Sequence, residues 1–225
     1  MIQKSWDAKW EEIYAQQGFR GKYPDEAVVR FVAGKYFKVD PGKRKNVRIL
    51  DLGCGPGRHI LFLAKEGLSA FGIEGSPEAV KLCKEKLREE ALCAKVRVGD
   101  FVRLPYPAGY FDAVIDCASI QHNRSAGIKK ILREVRRTLK TGGELFSMVR
   151  TDRDYAYGKG KELEPGTFTD YTSLDLNNVG QIHFFSEAEI TSFYSVFKAA
   201  QYEYLERTIE NRTKRITHWA IRAIK

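Results

Sequence analysis

Ile49-Leu50-Asp51-Leu52-Gly53-Cys54-Gly55-Pro56-Gly57 joins two different patterns within one short stretch. The short apolar run from Val47 to Leu52, which carries Asp51 near its end, is consistent with a buried strand of a parallel sheet. Glycine then recurs at every second position, which suits a turn where backbone must come close to a ligand. The residues that follow, Ile60, Leu61, Leu63 and Ala64, read as one side of a helix that Gly67 closes.

Outward from this unit the pattern alternates. Ser69 to Glu74 reads as a second strand, and Ser76-Pro77 as the cap and first turn of a helix with Val80, Cys83, Leu87 and Ala91 on one face. Lys95 to Gly99 is a third strand ending at Asp100, and Phe111 to Cys117 a fourth. A helix follows with Ile128, Ile131, Leu132, Val135 and Leu139 at spacings of three and four. Thr141-Gly142-Gly143 then turns into a fifth strand, Glu144 to Val149. Such alternation implies right-handed βαβ units and a parallel sheet covered on both faces.

Upstream, Trp6, Trp10, Ile13 and Tyr14 mark a short helix stopped by Gly18. Pro24 opens another with Val28, Val29, Val32 and Tyr36 inward. Downstream, Ser186 caps a helix through Phe197. Glu203 to Ile209, a turn at Glu210-Asn211-Arg212, and Arg215 to Ile224 read as an antiparallel hairpin finishing the sheet. Arg150 to Gly180 is polar and without clear period, too long for an ordinary connection, and reads as a substrate loop or lid. The expected organisation is a helical cap over 1–45 and one α/β domain over 46–225, with 150–185 as the substrate loop, all in one unit.

An open α/β sheet leaves a crevice at the carboxyl ends of its strands. A carboxylate ending the second strand can accept ribose hydroxyls there, and Glu74 stands about 20 residues past the turn, as such a role requires. Asp100-Phe101 ends the third strand with a carboxylate beside an aromatic that can border an adenine. A nicotinamide fingerprint needs G-x-G-x-x-G, and counted from Gly53 the sixth position is Arg58, which argues against a dehydrogenase.

These residues resemble the class I S-adenosylmethionine (SAM)-dependent methyltransferases, small-molecule methyltransferase-like. The pattern D/E-x-G-x-G-x-G is carried by Asp51, Gly53, Gly55 and Gly57, followed by Glu74 and then Asp100-Phe101. Leu104-Pro105-Tyr106-Pro107-Ala108-Gly109-Tyr110-Phe111-Asp112-Ala113-Val114 resembles the family's approach to the fourth strand. Leu132 to Gly143 resembles its "l.E..RvLkpGG" segment, with Thr141 where proline is usual. The resemblance implies a Rossmann-like, doubly wound α/β fold: a seven-stranded, mostly parallel sheet with a C-terminal antiparallel hairpin and N-terminal helical cover. It implies SAM as cofactor, with S-adenosyl-L-homocysteine as product, bound by Asp51, Gly53, Cys54, Gly55, Gly57, Glu74, Gly75, Asp100, Phe101 and Cys117. Tyr14, Tyr23 and Arg30 would help cover it.

Methyl transfer from a sulfonium needs alignment and exclusion of water more than a covalent helper, so a missing triad is no objection. The acceptor site should lie past the fourth strand, at Asp116-Cys117-Ala118-Ser119-Ile120-Gln121-His122-Asn123. The N/D-P-P-Y/F motif of enzymes that methylate base amino groups or glutamine is missing there. His122, and then His183, are the candidate bases or acceptor-positioning groups. The expected activity is methylation of a hydroxyl or amine on a small molecule. An RNA or protein acceptor is an alternative, and a non-catalytic SAM-binding protein is another.

The net charge of +9 gives the nucleic-acid reading slight support, but no separate basic module accompanies it. Cys54, Cys83, Cys93 and Cys117 form no C-x-x-C pair, so no metal site is expected. No apolar run reaches the roughly 18 residues of a membrane span, and the polar start lacks a secretory pattern. A cytoplasmic, non-membrane protein is expected. Apolar residues on the first helices would serve either a dimer or the cofactor cover.

Overall fold

The computed structural model describes residues 6–16, 21–171, 176 and 179–225. In chain order its main elements begin with α1 (Lys9–Ala15), α2 (Glu26–Tyr36), β1 (Arg48–Leu52), α3 (Arg58–Lys65) and β2 (Ser69–Glu74). Then come α4 (Pro77–Glu89), β3 (Lys95–Val98), β4 (Phe111–Cys117), α5 (Ser125–Thr138) and β5 (Leu139–Arg150). The chain continues through β6 (Lys161–Glu164), β7 (Thr167–Thr169), β8 (Ile182–His183), α6 (Glu187–Tyr194), β9 (Ala199–Ile209) and β10 (Lys214–Ile224).

Seven strands form one sheet in the order β3-β2-β1-β4-β5-β10-β9. β1 pairs in parallel with β2 and β4, so that Asp51 stands between Gly72 and Ile115. β10 alone is reversed, antiparallel to both β5 and β9. This is the Rossmann-like α/β sheet with its closing antiparallel pair.

Alternation along each strand sorts the core into two layers. Leu50, Leu52, Val114, Leu145, Val149 and Trp219 meet α5 and α6 on one face. Ile49, Ala113, Ile115, Phe146 and Met148 meet α2, α3 and α4 on the other. α2 is therefore part of a core layer: Val28 and Val32 are fully buried, and Phe31 stacks on Phe146 at 5.1 Å. Each such aliphatic or aromatic side chain stabilises the fold by about 1.5–3 kcal/mol when fully buried.

Several boundaries depart from the sequence reading for local reasons. α2 is capped by Asp25, whose carboxylate accepts from Ala27 N at 3.0 Å, so Pro24 stands one residue outside the helix. α5 ends at Thr138, because Leu139 already pairs with Phe111 in the sheet. The Thr141-Gly142-Gly143 turn thus lies inside β5, where the register with β4 shifts and Gly142 takes φ 73°. α6 stops at Tyr194, and β9 begins at Ala199, four residues before the expected Glu203. The Gly18 stop falls outside the described residues.

The 150–185 segment contains a small antiparallel sheet, β6-β7-β8, with its own apolar centre of Phe168, Tyr171, Ile182 and Phe184. No helix among the described residues is long and apolar enough to cross a membrane.

Candidate active site

At the carboxyl ends of β1, β2 and β4 lies a crevice with about 860 Å³ of empty space, its open mouth included. Its floor is the glycine turn. Gly53, Gly55 and Gly57 have φ of 74°, 49° and 90°, the left-handed region that other residues enter only with strain. The turn is tied to β2, since Gly53 N and Cys54 N both donate to Ile73 O. Gly57 serves packing: a Cβ there would stand 2.3 Å from Cys83 Sγ on α4.

Glu74 closes the next corner. Its carboxylate lines the crevice and accepts from Gly55 N at 3.0 Å and Ser76 N at 2.9 Å. Burial raises its pKa, and the N–H groups of Ser76, Gly55 and Gly75 oppose that rise. Two carboxylate oxygens offer about four acceptor positions, so these bonds leave room for ribose hydroxyls. Phe101 lines the crevice beyond Glu74.

α1 forms the roof. Trp6 lies against Gly75, where a Cβ would meet its ring at 2.3 Å, while Tyr14 stands over Gly55 and Trp10 meets the His122 ring edge-on at 4.9 Å. Burial first, and then Glu74, push the Tyr14 hydroxyl well above its ordinary pKa. Glu11 seats the roof: its carboxylate accepts from Ser76 Oγ and from Glu78 N, at the N-terminus of α4 where negative charge is favoured.

His122 stands at the far side, on the turn after β4. Asp116, fully buried, shapes that turn by accepting from Ser119 N at 2.9 Å and Ile120 N at 3.0 Å. Its other oxygen accepts from Ser147 Oγ at 2.5 Å, which in turn accepts from Tyr194 OH at 2.8 Å. Burial pushes the Asp116 carboxyl up to about 6. His122 Nδ1 is 2.9 Å from Gln181 O, and Gln181 Nε2 donates back to His122 O. A carbonyl can only accept, so Nδ1 carries the proton and Nε2 keeps a lone pair. Burial lowers the imidazole to about 4, so the ring is neutral at pH 7.

The structure thus brings together Gly53, Cys54, Gly55, Glu74, Phe101, Cys117 and His122 around one crevice. Other expected residues do not line it. Asp51 is buried beneath the turn with Oδ2 3.5 Å from His59 Nδ1, and Asp100 accepts from Val102 N in its own loop. Gly57 and Gly75 act through close packing on Cys83 and Trp6. His183 is fully buried away from the crevice, with Nδ1 2.8 Å from Thr167 Oγ1 and the ring between Phe185 and Phe193. Tyr23 is 74% exposed, and Arg30 pairs with Glu26 on the surface of α2. The sequence reading misses Trp6, Asp7, Trp10 and Arg58 as lining residues, while Ser119 lies in the stretch expected to form the acceptor site. Trp6, Trp10 and Tyr14 recur at four-residue steps, a spacing read as a short helix, and all three line the crevice.

The geometry can be set beside known proteins. Residues 49–143 match the family model of the methyltransferase domain. Ajmaline N-methyltransferase of Rauvolfia serpentina is 35% identical over 121 residues, 52% of this chain and 40% of that protein. Sterol 4-C-methyltransferase strm-1 of Caenorhabditis elegans is 24% identical over 75% of this chain and 49% of its own length. The chain therefore spans about half or less of the length of these relatives. A SAM-dependent methyltransferase structure from Methanosarcina mazei superposes with a TM-score of 0.66 at 24% identity, covering 79% of this chain and 92% of that one. Residues 49–143 are thus similar to a methyltransferase domain, and the chain shares the Rossmann-like fold of that SAM-dependent methyltransferase structure.

Proposed function

We propose that the crevice binds SAM and that the chain transfers its methyl group to a hydroxyl or amine of a small molecule. The observation that carries this reading is Glu74, a buried carboxylate facing the crevice between the glycine turn and Phe101. Bound SAM supplies an electrophilic methyl group on a sulfonium. The residues fit it in order: Phe101 for the adenine, Glu74 for the ribose, and the close-approaching backbone of Gly53 to Gly55 for the amino-acid end. Tyr14 and Trp10 line the space between, and an aromatic lining favours a cation there.

The acceptor comes to the His122 side. A neutral imidazole with a fixed tautomer can take the proton of an acceptor at Nε2, although a pKa near 4 makes it a weak base. Its main work is then orientation and exclusion of water. The Gln181–His122 exchange, and the packing of Gly180 on Asp7, support a role for the 150–185 segment as cover on this side. The four cysteines are free thiols, in keeping with a reducing, cytoplasmic setting.

Titration calorimetry with SAM and S-adenosylhomocysteine tests the cofactor half. Wild type should bind both, and Glu74→Ala should bind roughly 10- to 100-fold more weakly, the usual worth of hydrogen bonds to a charged group. Absence of binding to folded wild type would overturn the reading. Transfer of labelled methyl to a panel of amines and alcohols, with His122→Gln beside wild type, tests the other half. The variant should lose kcat while SAM affinity holds.

A further inference from the structure

The opposite ends of the same strands hold a second cavity, which the methyl-transfer reading does not use. It opens at the starts of β1, β2 and β3, with about 1080 Å³ of empty space including its mouth. Lys45, Arg48 and Lys95 line it, together with Asn46, Phe71 and Tyr110, and no aspartate or glutamate does.

Two of these cations, Arg48 and Lys95, are held in place by aromatic rings that do not neutralise them. The Arg48 guanidinium lies 4.4 Å from the Tyr110 ring centre, and Lys95 Nζ lies 5.3 Å from that of Phe71. Tyr110 stacks in turn on Tyr106 at 6.0 Å, and Arg97 covers Tyr106 at 5.4 Å. Ser69 Oγ donates to Lys45 O at 2.5 Å and fixes the backbone there. The nearby carboxylates are engaged elsewhere: Asp112 takes Lys140 at 2.7 Å and Arg48 N at 2.9 Å, and Glu66 takes Arg44 at 3.3 Å. An aromatic face orients a cation but leaves its N–H donors and its charge unmet. Two oriented cations and a third lysine around a concave space lined by no carboxylate among the described residues call for a compact ligand of two to three negative charges. Phosphate oxygens suit both the fork of Arg48 and the point charges of the lysines.

We propose that this basal cavity binds a polyphosphate, either inorganic pyrophosphate or the phosphate chain of a nucleotide, independently of the cofactor crevice. Arg48 and Lys95 hold the phosphates from two strand starts, Lys45 adds a third cation, and the Asn46 amide supplies neutral donors at the rim.

Calorimetric titration of the whole chain with pyrophosphate and with ATP, at fixed ionic strength and without magnesium, tests this. Saturable binding is expected, weaker at higher salt and weakened about tenfold or more in Arg48→Gln and in Lys95→Gln. SAM binding should be unchanged in both variants, which also shows that they fold. Lys45→Gln, at an exposed position, is the second variant and should weaken binding in the same direction. Glu74→Ala must retain pyrophosphate binding, which separates this site from the crevice. Pyrophosphate binding as well as ATP would identify the phosphates alone as the recognised group; tighter ATP binding that survives Glu74→Ala would identify the nucleotide. No binding, or binding indifferent to all three basal variants, overturns the proposal. So does a single-stranded RNA oligonucleotide that binds far better than either, because the face would then be a nucleic-acid surface.

Discussion

A single added methyl group tests the glycine turn. Gly57→Ala forces a left-handed φ on a residue with a Cβ and drives that atom against Cys83 Sγ. The variant should lose about 2 kcal/mol or more of unfolding free energy in urea titration, and Cys83→Ala in the same background should return part of it. Asp116 supplies a pH test. Its folded pKa of about 6 lies above the ordinary value of about 3.9. Its contribution to stability is therefore complete below the unfolded value and is lost as pH rises through 6. His122 and His218, both lowered to about 4, act oppositely and cost stability as pH falls from about 6.5. Asp116→Asn should thus gain on the wild type between pH 4 and pH 7, by roughly 2 kcal/mol, in melts run across that range. Residue by residue, the legible part of the site was the part fixed by position on a strand. Glu74 ends β2 and faces the crevice as its spacing implied. Asp51 and Asp100 occupy equally regular places, but the first turns under the sheet towards His59 and the second is taken by its own loop. Strand-end position does not say which way a carboxylate turns.

Among the elements, α1 is tied to α4 by one charged side chain. Its seat on α4 is the Glu11 carboxylate at Ser76 Oγ and Glu78 N. Glu11→Gln removes the charge from a helix N-terminus, an interaction worth about 0.3–1 kcal/mol. Release of S-adenosylhomocysteine should therefore speed up about two- to fivefold, the factor that such an energy implies. Stopped-flow tryptophan fluorescence reads this, because Trp6 and Trp10 are in the roof. An unchanged release rate would mean that α1 does not gate the crevice. The long periodic α5 was readable, its last expected residue, Leu139, standing one past its end at Thr138. β6, β7 and β8 were not, because strands of four, three and two residues are too short for a period of two to register. Their apolar residues close a small cluster of their own, so the segment that looked like an open loop is folded.

At the scale of the molecule, parallel strands and a closing hairpin were implied by the alternation, but the intrusion of β10 between β5 and β9 is a fact of pairing alone. It leaves β9 as the sheet's edge, with all its residues from Ala199 to Thr208 exposed. Charged side chains on such an edge discourage pairing between molecules. The Glu203→Val/Arg207→Val double variant should raise light scattering on warming well above that of wild type, with little change in SAM affinity. The same arrangement dictates an order of assembly. β3, β2, β1, β4 and β5 come from a continuous stretch of chain and can pair among themselves. β9 can join only through β10, which follows it and also delivers Trp219, Ile221 and Ala223 to the core. Pulse-labelled hydrogen exchange during refolding should show β9 amides protected last. Every described residue that lines the crevice lies at or before Asn123. A chain emerging from the ribosome therefore presents these lining residues about a hundred residues before it can close its sheet, with the 150–185 segment still to come.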